Sequence, residues 1–333
     1  MVAVPSQMRA VLHTPPAHPE HLQIATTSTP VPQAGELLVR VAAAALNRAD
    51  LLQRRGLYPP PPGASPILGL EVVGEVVHAV APWHVGDRVM AVITGGGYAE
   101  YVCVPAAEAM AVPVVLSSTQ AAALPEAFLT AWLNLVILGR LQAGEHMFIH
   151  AGASGVGSAA IQLAKDLGAT VATAASTPAK QALCRQLGAT YVYTSRSGAL
   201  AAQVRADLPH GVDVILDMLG APAWADNCDM LARGGRMLLL GFLAGSRGEL
   251  DLGPILTKSL TITGTTLRRS PVALRQQLAH DVSAWLLPRV QQGRVVPVLD
   301  RVFSVSDVAE AHRYMESNAN AGKIVLDMQW SDH

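Results

Sequence analysis

The chain has 333 residues, half of them hydrophobic and 15% charged, with 24 basic against 25 acidic side chains and a formal net charge of −1. That length exceeds what one hydrophobic core usually serves, so two domains are expected, and the composition excludes a disordered or fibrous chain. The charge balance excludes recruitment of nucleic acid or an anionic membrane by an overall field, which leaves ligand recognition to local sites.

No uninterrupted apolar stretch reads as long enough to span a bilayer, and the N-terminus lacks the charged-then-apolar order of a secretory signal. The expectation is a soluble, cytoplasmic protein. Cys103, Cys184 and Cys228 are far apart and never in a C-x-x-C arrangement, so neither a disulfide framework nor a zinc lobe is indicated.

From Met8 to about Pro125 the chain reads as short β segments separated by Pro and Gly turns. Leu37 to Ala44 is one strand. Leu70 to Val80, an apolar run interrupted by Glu71, Gly74, Glu75 and His78, reads as a twisted strand pair. Leu46 to Arg55 is the helical exception, with Asn47 able to cap it and Asp50 three residues later favouring its positive end. Pro59 to Pro62 makes a stiff loop.

The texture changes near Thr119. Gln120 to Leu141 is Ala- and Leu-rich with a helical period, and strand-like and helix-like segments then alternate. The strands expected are His146 to Ala151, Thr170 to Ala175, Tyr191 to Tyr193, Val212 to Met218, Arg236 to Leu240 and Leu260 to Gly264. Parallel strands need a crossover, usually a helix, so this alternation predicts an α/β fold with a doubly wound parallel sheet. Beyond Gly264 come a helix over Val272 to Gln292, a strand near Val298 to Phe303, a helix near Val305 to Ser317 and a strand over Lys323 to Met328. This tail is expected to return to the N-terminal β domain, leaving the doubly wound domain inserted and a cleft between the two.

The strongest local signal is HMFIHAGASGVG (His146 to Gly157), followed by the helical run SAAIQLAKDLG. A strand runs into a glycine turn and then a helix, as in dinucleotide binding, where small residues let the backbone approach a pyrophosphate that faces the helix N-terminus. Gly152 and Gly157 occupy the first and third glycine positions. Ser154 takes the second, with Gly155 beside it. On the next strand an NAD enzyme usually places Asp or Glu for the ribose hydroxyls. Here Thr170 to Lys180 holds no carboxylate but offers Ser176, Thr177 and Lys180, which suits a 2′-phosphate and so NADPH; the alternative is a solvated loop.

These segments resemble the zinc-independent quinone oxidoreductase branch of the medium-chain dehydrogenases and reductases. The resemblance rests on ALNRADLLQRRGLYPPPPGAS (Ala45 to Ser65), ILGLE (Ile67 to Glu71), LPEAFLTA (Leu124 to Ala131) and HAGASGVGSAAIQLA (His150 to Ala164). PVLDRVF (Pro297 to Phe303) and GKIVL (Gly322 to Leu326) extend it. It implies a Rossmann domain at 125–265 inserted into a mainly β, GroES-like catalytic domain formed by 1–124 and 266–333, and a homodimer or pair of dimers. Zinc-dependent relatives carry a Gly-His-Glu motif where this chain has Gly69-Leu70-Glu71, so no catalytic metal is expected.

The same resemblance places Asn47 and Tyr58 beside the nicotinamide and substrate. An amide and a phenol suit hydrogen bonding to a quinone carbonyl; the competing readings are a helix cap for Asn47 and packing on Pro59 to Pro62 for Tyr58. It further implies cofactor contacts at Thr130, Gly155, Val156, Gly241, Phe242 and Leu243, with Leu267 and Asn320 closing the pocket. Where relatives usually have Asn-Tyr near the adenosine, this chain has Thr194-Ser195, with Arg196 beside them to meet the phosphate. The expected activity is NADPH-dependent hydride transfer to a quinone or other electrophilic small molecule. Reduction of an α,β-unsaturated ketone or enoyl thioester is the alternative within the enzyme class, and a structural or regulatory cofactor-binding protein is the alternative outside it.

Overall fold

The computed structural model describes residues 4–195 and 197–330; the Arg196 expectation lies outside the described residues. The chain divides into two units whose boundaries fall at Glu126/Ala127 and Leu267/Arg268, and the segments before Ala127 and after Leu267 make up the first.

In the first unit, seven strands form one sheet. Its order is Leu299–Ser304, Lys323–Asp327, Glu36–Ala45, Glu71–His78, Arg88–Val92 and Met110–Ala111, with Tyr101–Pro105 also pairing Glu36–Ala45. Glu36–Ala45 is central because its apolar side chains are buried along almost its whole length, Leu37, Val39, Ala43, Ala44 and Ala45 completely. The expected strand pair at Leu70 to Val80 is instead the single strand Glu71–His78, hydrogen-bonded on both sides. Gly74 does not break it. A Cβ there would lie 2.2 Å from the Arg40 carbonyl oxygen, where the pairing register slips. Helix Val308–Glu316 carries the chain between the parallel strands Leu299–Ser304 and Lys323–Asp327.

The second unit is a six-stranded, wholly parallel sheet in the order Tyr191–Thr194, Thr170–Ala175, His146–Ile149, Val212–Asp217, Leu231–Leu239, Thr261–Gly264. This is the doubly wound order, in which the direction of winding reverses between His146–Ile149 and Val212–Asp217. Strands covered on both faces must be apolar throughout, and Val214, Ile215 and Leu216 have no exposed surface.

The Gln120 to Leu141 helix is observed in pieces: Ser118–Ala121, Pro125–Trp132, and a wider π-type turn over Leu133–Leu138. The combined run Ser118–Leu138 is long and apolar enough, by length and composition, to cross a membrane, with a mean hydropathy of 1.6; this corrects the expectation of no such stretch. Its apolar window is 72% buried inside the protein, as in a core helix.

Candidate active site

The glycine turn takes its shape from close packing. A Cβ on Gly152 would lie 2.1 Å from Thr173 Oγ1 on the adjacent strand, and one on Gly157 would lie 2.4 Å from the Ala151 carbonyl oxygen. Only glycine fits either place. Ala151 itself turns the chain with φ 49. Ser154 replaces the second glycine because it caps helix Gly155–Asp166, its hydroxyl accepting from Gly157 N–H at 3.1 Å. The N–H groups of Gly155 and Val156 open that helix as first-turn donors without intrahelical partners. Such a cradle fits a dinucleotide pyrophosphate.

At the carboxyl end of the neighbouring strand, Thr177 caps helix Pro178–Leu187, accepting from Lys180 N–H at 3.3 Å, and Ser176 precedes it half-buried. Lys180 is half-buried in the first turn of that helix. No carboxylate from Thr170 to Lys180 opposes a phosphate there. Thr194 and Ser195 are exposed at the end of the third strand, Thr194 Oγ1 accepting from Gln181 Nε2 at 3.0 Å. Gly241, Phe242 and Leu243 follow strand Leu231–Leu239 at the same end of the sheet; Phe242 is 58% exposed. Thr130 is buried on helix Pro125–Trp132, and Leu267 opens a short 3-10 turn. The second-unit residues expected at the cofactor, Thr130 apart, therefore gather at strand carboxyl ends or in the loops that follow them, the edge where doubly wound sheets bind ligands.

Sequence reasoning missed a buried chain at this switch point. His150 Nε2–H donates to Asn227 Oδ1 at 2.6 Å, and Asn227 Nδ2 donates to Asp217 Oδ2 at 3.1 Å. Asp217 Oδ1 accepts from the N–H groups of Leu219 and Gly220. Burial pushes the His150 pKa down. The network ties the ends of the two strands between which the winding reverses.

In the first unit Asn47 precedes helix Arg48–Arg54, but its side chain makes no cap hydrogen bond. Asp50 reaches back instead, its Oδ2 accepting from Asn47 N–H at 2.8 Å. The Asn47 amide is turned inward: Nδ2 donates to Glu71 Oε1 at 2.9 Å, and Oδ1 accepts from Lys323 Nζ at 2.8 Å. Lys323 Nζ also lies 2.5 Å from Glu71 Oε1 and 3.7 Å from Glu126 Oε2. Glu71 and Asp50 are completely buried and Lys323 nearly so. Burial raises the Asp50 pKa to about 6 and pushes Glu71 upward as well. Burial works against the charge on Lys323, yet Glu71 and Glu126 outweigh it and hold its pKa above the usual lysine value. The sequence signal for this cluster was faint: one Lys and one Glu, each the first residue of a strand.

Tyr58 has more than its neighbouring prolines beside it, since the guanidinium carbons of Arg268 and Arg269 lie 5.3 and 5.9 Å from its ring centroid. Asn320 Nδ2 donates to the Gly322 carbonyl at 2.8 Å.

A metal does not fit the Gly69-Leu70-Glu71 segment. Leu70 offers no ligand, Glu71 is already ion-paired, and the Lys323 ammonium would repel a cation. Among the described residues no group of three or more His, Cys, Asp or Glu side chains is placed to hold one.

Fold and site together define a dehydrogenase-type oxidoreductase. Residues 33–114 match the alcohol dehydrogenase GroES-like domain family and residues 155–284 the zinc-binding dehydrogenase family. The chain is 35% identical over 305 residues to a phenolphthiocerol/phthiocerol polyketide synthase of Mycobacterium tuberculosis, covering 89% of this chain but only 14% of that protein's length. It is 30% identical over 322 residues to the human synaptic vesicle membrane protein VAT-1 homolog, covering 92% of this chain and 82% of that one. Among solved structures, the CurK enoyl reductase superposes with a TM-score of 0.85 at 27% identity, over 97% of this chain and all of that one. Mycobacterial Rv1454c, complexed with NADPH, gives 0.85 at 28% identity over 96% and 100%. The chain belongs to the medium-chain dehydrogenase/reductase superfamily and is an oxidoreductase of that family.

Proposed function

We propose that the chain is an NADPH-dependent reductase of conjugated carbonyl acceptors. The observation that carries this reading is the glycine cradle at the carboxyl end of the first parallel strand, together with Ser176, Thr177 and Lys180, and no carboxylate, just beyond the end of the second. When bound, the reduced nicotinamide supplies the hydride. Gly152, Ser154, Gly155, Val156 and Gly157 hold the pyrophosphate, and Lys180 with Ser176 and Thr177 recognises the 2′-phosphate. In the first unit Tyr58 donates its phenolic hydrogen bond to the acceptor oxygen. Asn47, with both ends of its amide engaged by Glu71 and Lys323, shapes that region rather than offering a free amide. The homodimer is supported by the edge strand Thr261–Gly264 and by the exposed Leu252 and Leu256 nearby.

Two acceptor classes fit the same residues. The Ala45 to Ser65 segment favours quinones, and the similarity to an enoyl reductase and to a polyketide synthase favours α,β-unsaturated carbonyls and thioesters. NADPH oxidation followed at saturating cofactor against a panel of ortho- and para-quinones, enones and enoyl thioesters decides between them by kcat/KM. Tight NADPH binding with no turnover across the whole panel would refute the enzymatic reading and favour a regulatory role.

A further inference from the structure

A doubly wound sheet binds a dinucleotide across the point where its winding reverses, one mononucleotide on each side. Ser176, Thr177 and Lys180 lie on the Thr170–Ala175 side of that point; with the 2′-phosphate assigned to them, as proposed above, the nicotinamide half falls to the other side, beyond Val212–Asp217 and Leu231–Leu239. Two turns meet there, 218–220 after the one strand and 241–245 after the other. Backbone hydrogen bonds lace them together. Leu243 N–H donates to the Met218 carbonyl at 2.9 Å, Ala244 N–H to that of Leu219 at 3.0 Å, and Ala221 N–H to that of Gly245 at 2.9 Å. The contact has no slack, since a Cβ on Gly220 would lie 2.4 Å from the Gly245 carbonyl oxygen and 2.7 Å from the Phe242 ring. Phe242 and Leu243 are themselves exposed, so the second turn takes its position from the first rather than from burial of its own side chains.

What fixes the first turn is buried beneath it. Asp217 Oδ1 accepts from Leu219 N–H at 2.6 Å and from Gly220 N–H at 3.2 Å. Its Oδ2 is held by Asn227 Nδ2 at 3.1 Å, and Asn227 in turn by His150 at 2.6 Å. Ser154 Oγ–H donates to Met218 Sδ at 3.6 Å, which ties the same turn to the pyrophosphate cradle. His150, Asn227 and Asp217 are all buried, and three buried polar side chains cost more than apolar ones of similar size unless each is hydrogen-bonded. Their chain of bonds ends on the 218–220 turn. We propose that Asp217 is a positioning residue for the nicotinamide end of the cofactor. His150 and Asn227 aim its carboxylate, the carboxylate fixes the 218–220 turn, and that turn sets Gly241, Phe242 and Leu243 against the nicotinamide ring. All three side chains act through the backbone of the two turns, which spares the bound cofactor the cost of ordering them. The adenosine end lies over the other half of the sheet and does not depend on this clamp, so loosening the clamp weakens one half of the cofactor's contacts only.

The test compares NADPH with adenosine 2′,5′-bisphosphate, which carries the adenosine and the 2′-phosphate but no nicotinamide, by titration calorimetry on the full chain. Asp217→Asn replaces one acceptor oxygen with an NH2 donor that must oppose either Asn227 or the N–H groups of the turn. It should raise the NADPH dissociation constant about 10-fold and that of the bisphosphate by less than about twofold. Asn227→Leu leaves the carboxylate on the turn but removes what aims it, and should weaken NADPH alone by about threefold. Gly220→Ala forces the two turns apart without touching the buried side chains and should reproduce the Asp217→Asn pattern. Equal weakening of both ligands by Asp217→Asn overturns the proposal, because the network would then support the sheet as a whole, and so does unchanged binding of NADPH. Hydrogen exchange on the wild-type protein needs no variant to fold: NADPH should slow amide exchange across 218–220 and 241–245 well beyond what the bisphosphate does, and equal protection by the two ligands overturns the proposal. Lys180→Ala separates this inference from the cofactor reading on which it rests. If that variant leaves bisphosphate binding unchanged while Asp217→Asn still weakens NADPH alone, the phosphate assignment falls and the positioning role stands. If Lys180→Ala weakens both ligands and Asp217→Asn neither, the positioning role is overturned and the phosphate assignment stands.

Discussion

Replacing Lys323 with Met should cost the first unit about 3 to 5 kcal/mol at neutral pH, the usual penalty for leaving a buried charge without its partner. The ammonium faces Glu71 Oε1 at 2.5 Å, Asn47 Oδ1 at 2.8 Å and Glu126 Oε2 at 3.7 Å, so its loss strands a completely buried carboxylate. The penalty should depend on pH. In the wild-type protein the raised Lys323 pKa means that its stabilisation is fully present below the ordinary lysine pKa and is lost only as pH rises through the folded value. In the variant the Glu71 pKa, already raised by burial, loses its main opposing attraction and moves further up. A proton then replaces the missing cation at low pH, so the deficit should shrink as pH falls from 8 towards 5. The double variant Lys323→Met, Glu71→Gln should recover most of the loss, because both charges leave together. Urea unfolding at pH 8 and pH 5 measures all three proteins. A single-variant deficit below about 1 kcal/mol, or one equal at both pH values, would refute this account of the cluster.

Tyr58→Phe should lower turnover by up to ~10-fold, about 1.4 kcal/mol, with the NADPH dissociation constant unchanged; unaltered kcat/KM would reduce Tyr58 to packing. Lys180→Ala should weaken NADPH by ~10-fold or more relative to NADH, measured as dissociation constants of both cofactors at fixed ionic strength, and equal weakening of the two would remove Lys180 from phosphate recognition. Gly152→Ala forces a methyl to within 2.1 Å of Thr173 Oγ1, so thermal unfolding should show a loss of about 1 to 3 kcal/mol, partly restored by Thr173→Ala; a neutral result would mean that the turn relaxes freely.

The fold class and the nucleotide turn are legible in the chain alone, because both are written in short-range signals. Strand-helix alternation over 146–264 needs a parallel sheet whatever surrounds it, and Thr170–Ala175 is observed with the bounds its composition predicts. Gly152 and Gly157 are required by contacts a few residues or one strand away, and the missing carboxylate after Ala175 is a local fact. The first unit was less legible. The run Leu70 to Val80 looked divisible because residues such as Glu71 interrupt it, and only pairing on both sides shows one continuous strand. The apolar stretch Ser118–Leu138 carries the same composition whether it lies in lipid or in a core, and burial alone tells the two apart. The side-chain clusters needed the three-dimensional fold altogether. Lys323 and Asn47 are 276 positions apart, as are Arg268 and Thr94 by 174, and His150 meets Asn227 across 77. Which side chains meet over such separations depends on sheet register, where a shift of one residue reverses every face, and no local pattern in the chain records that choice.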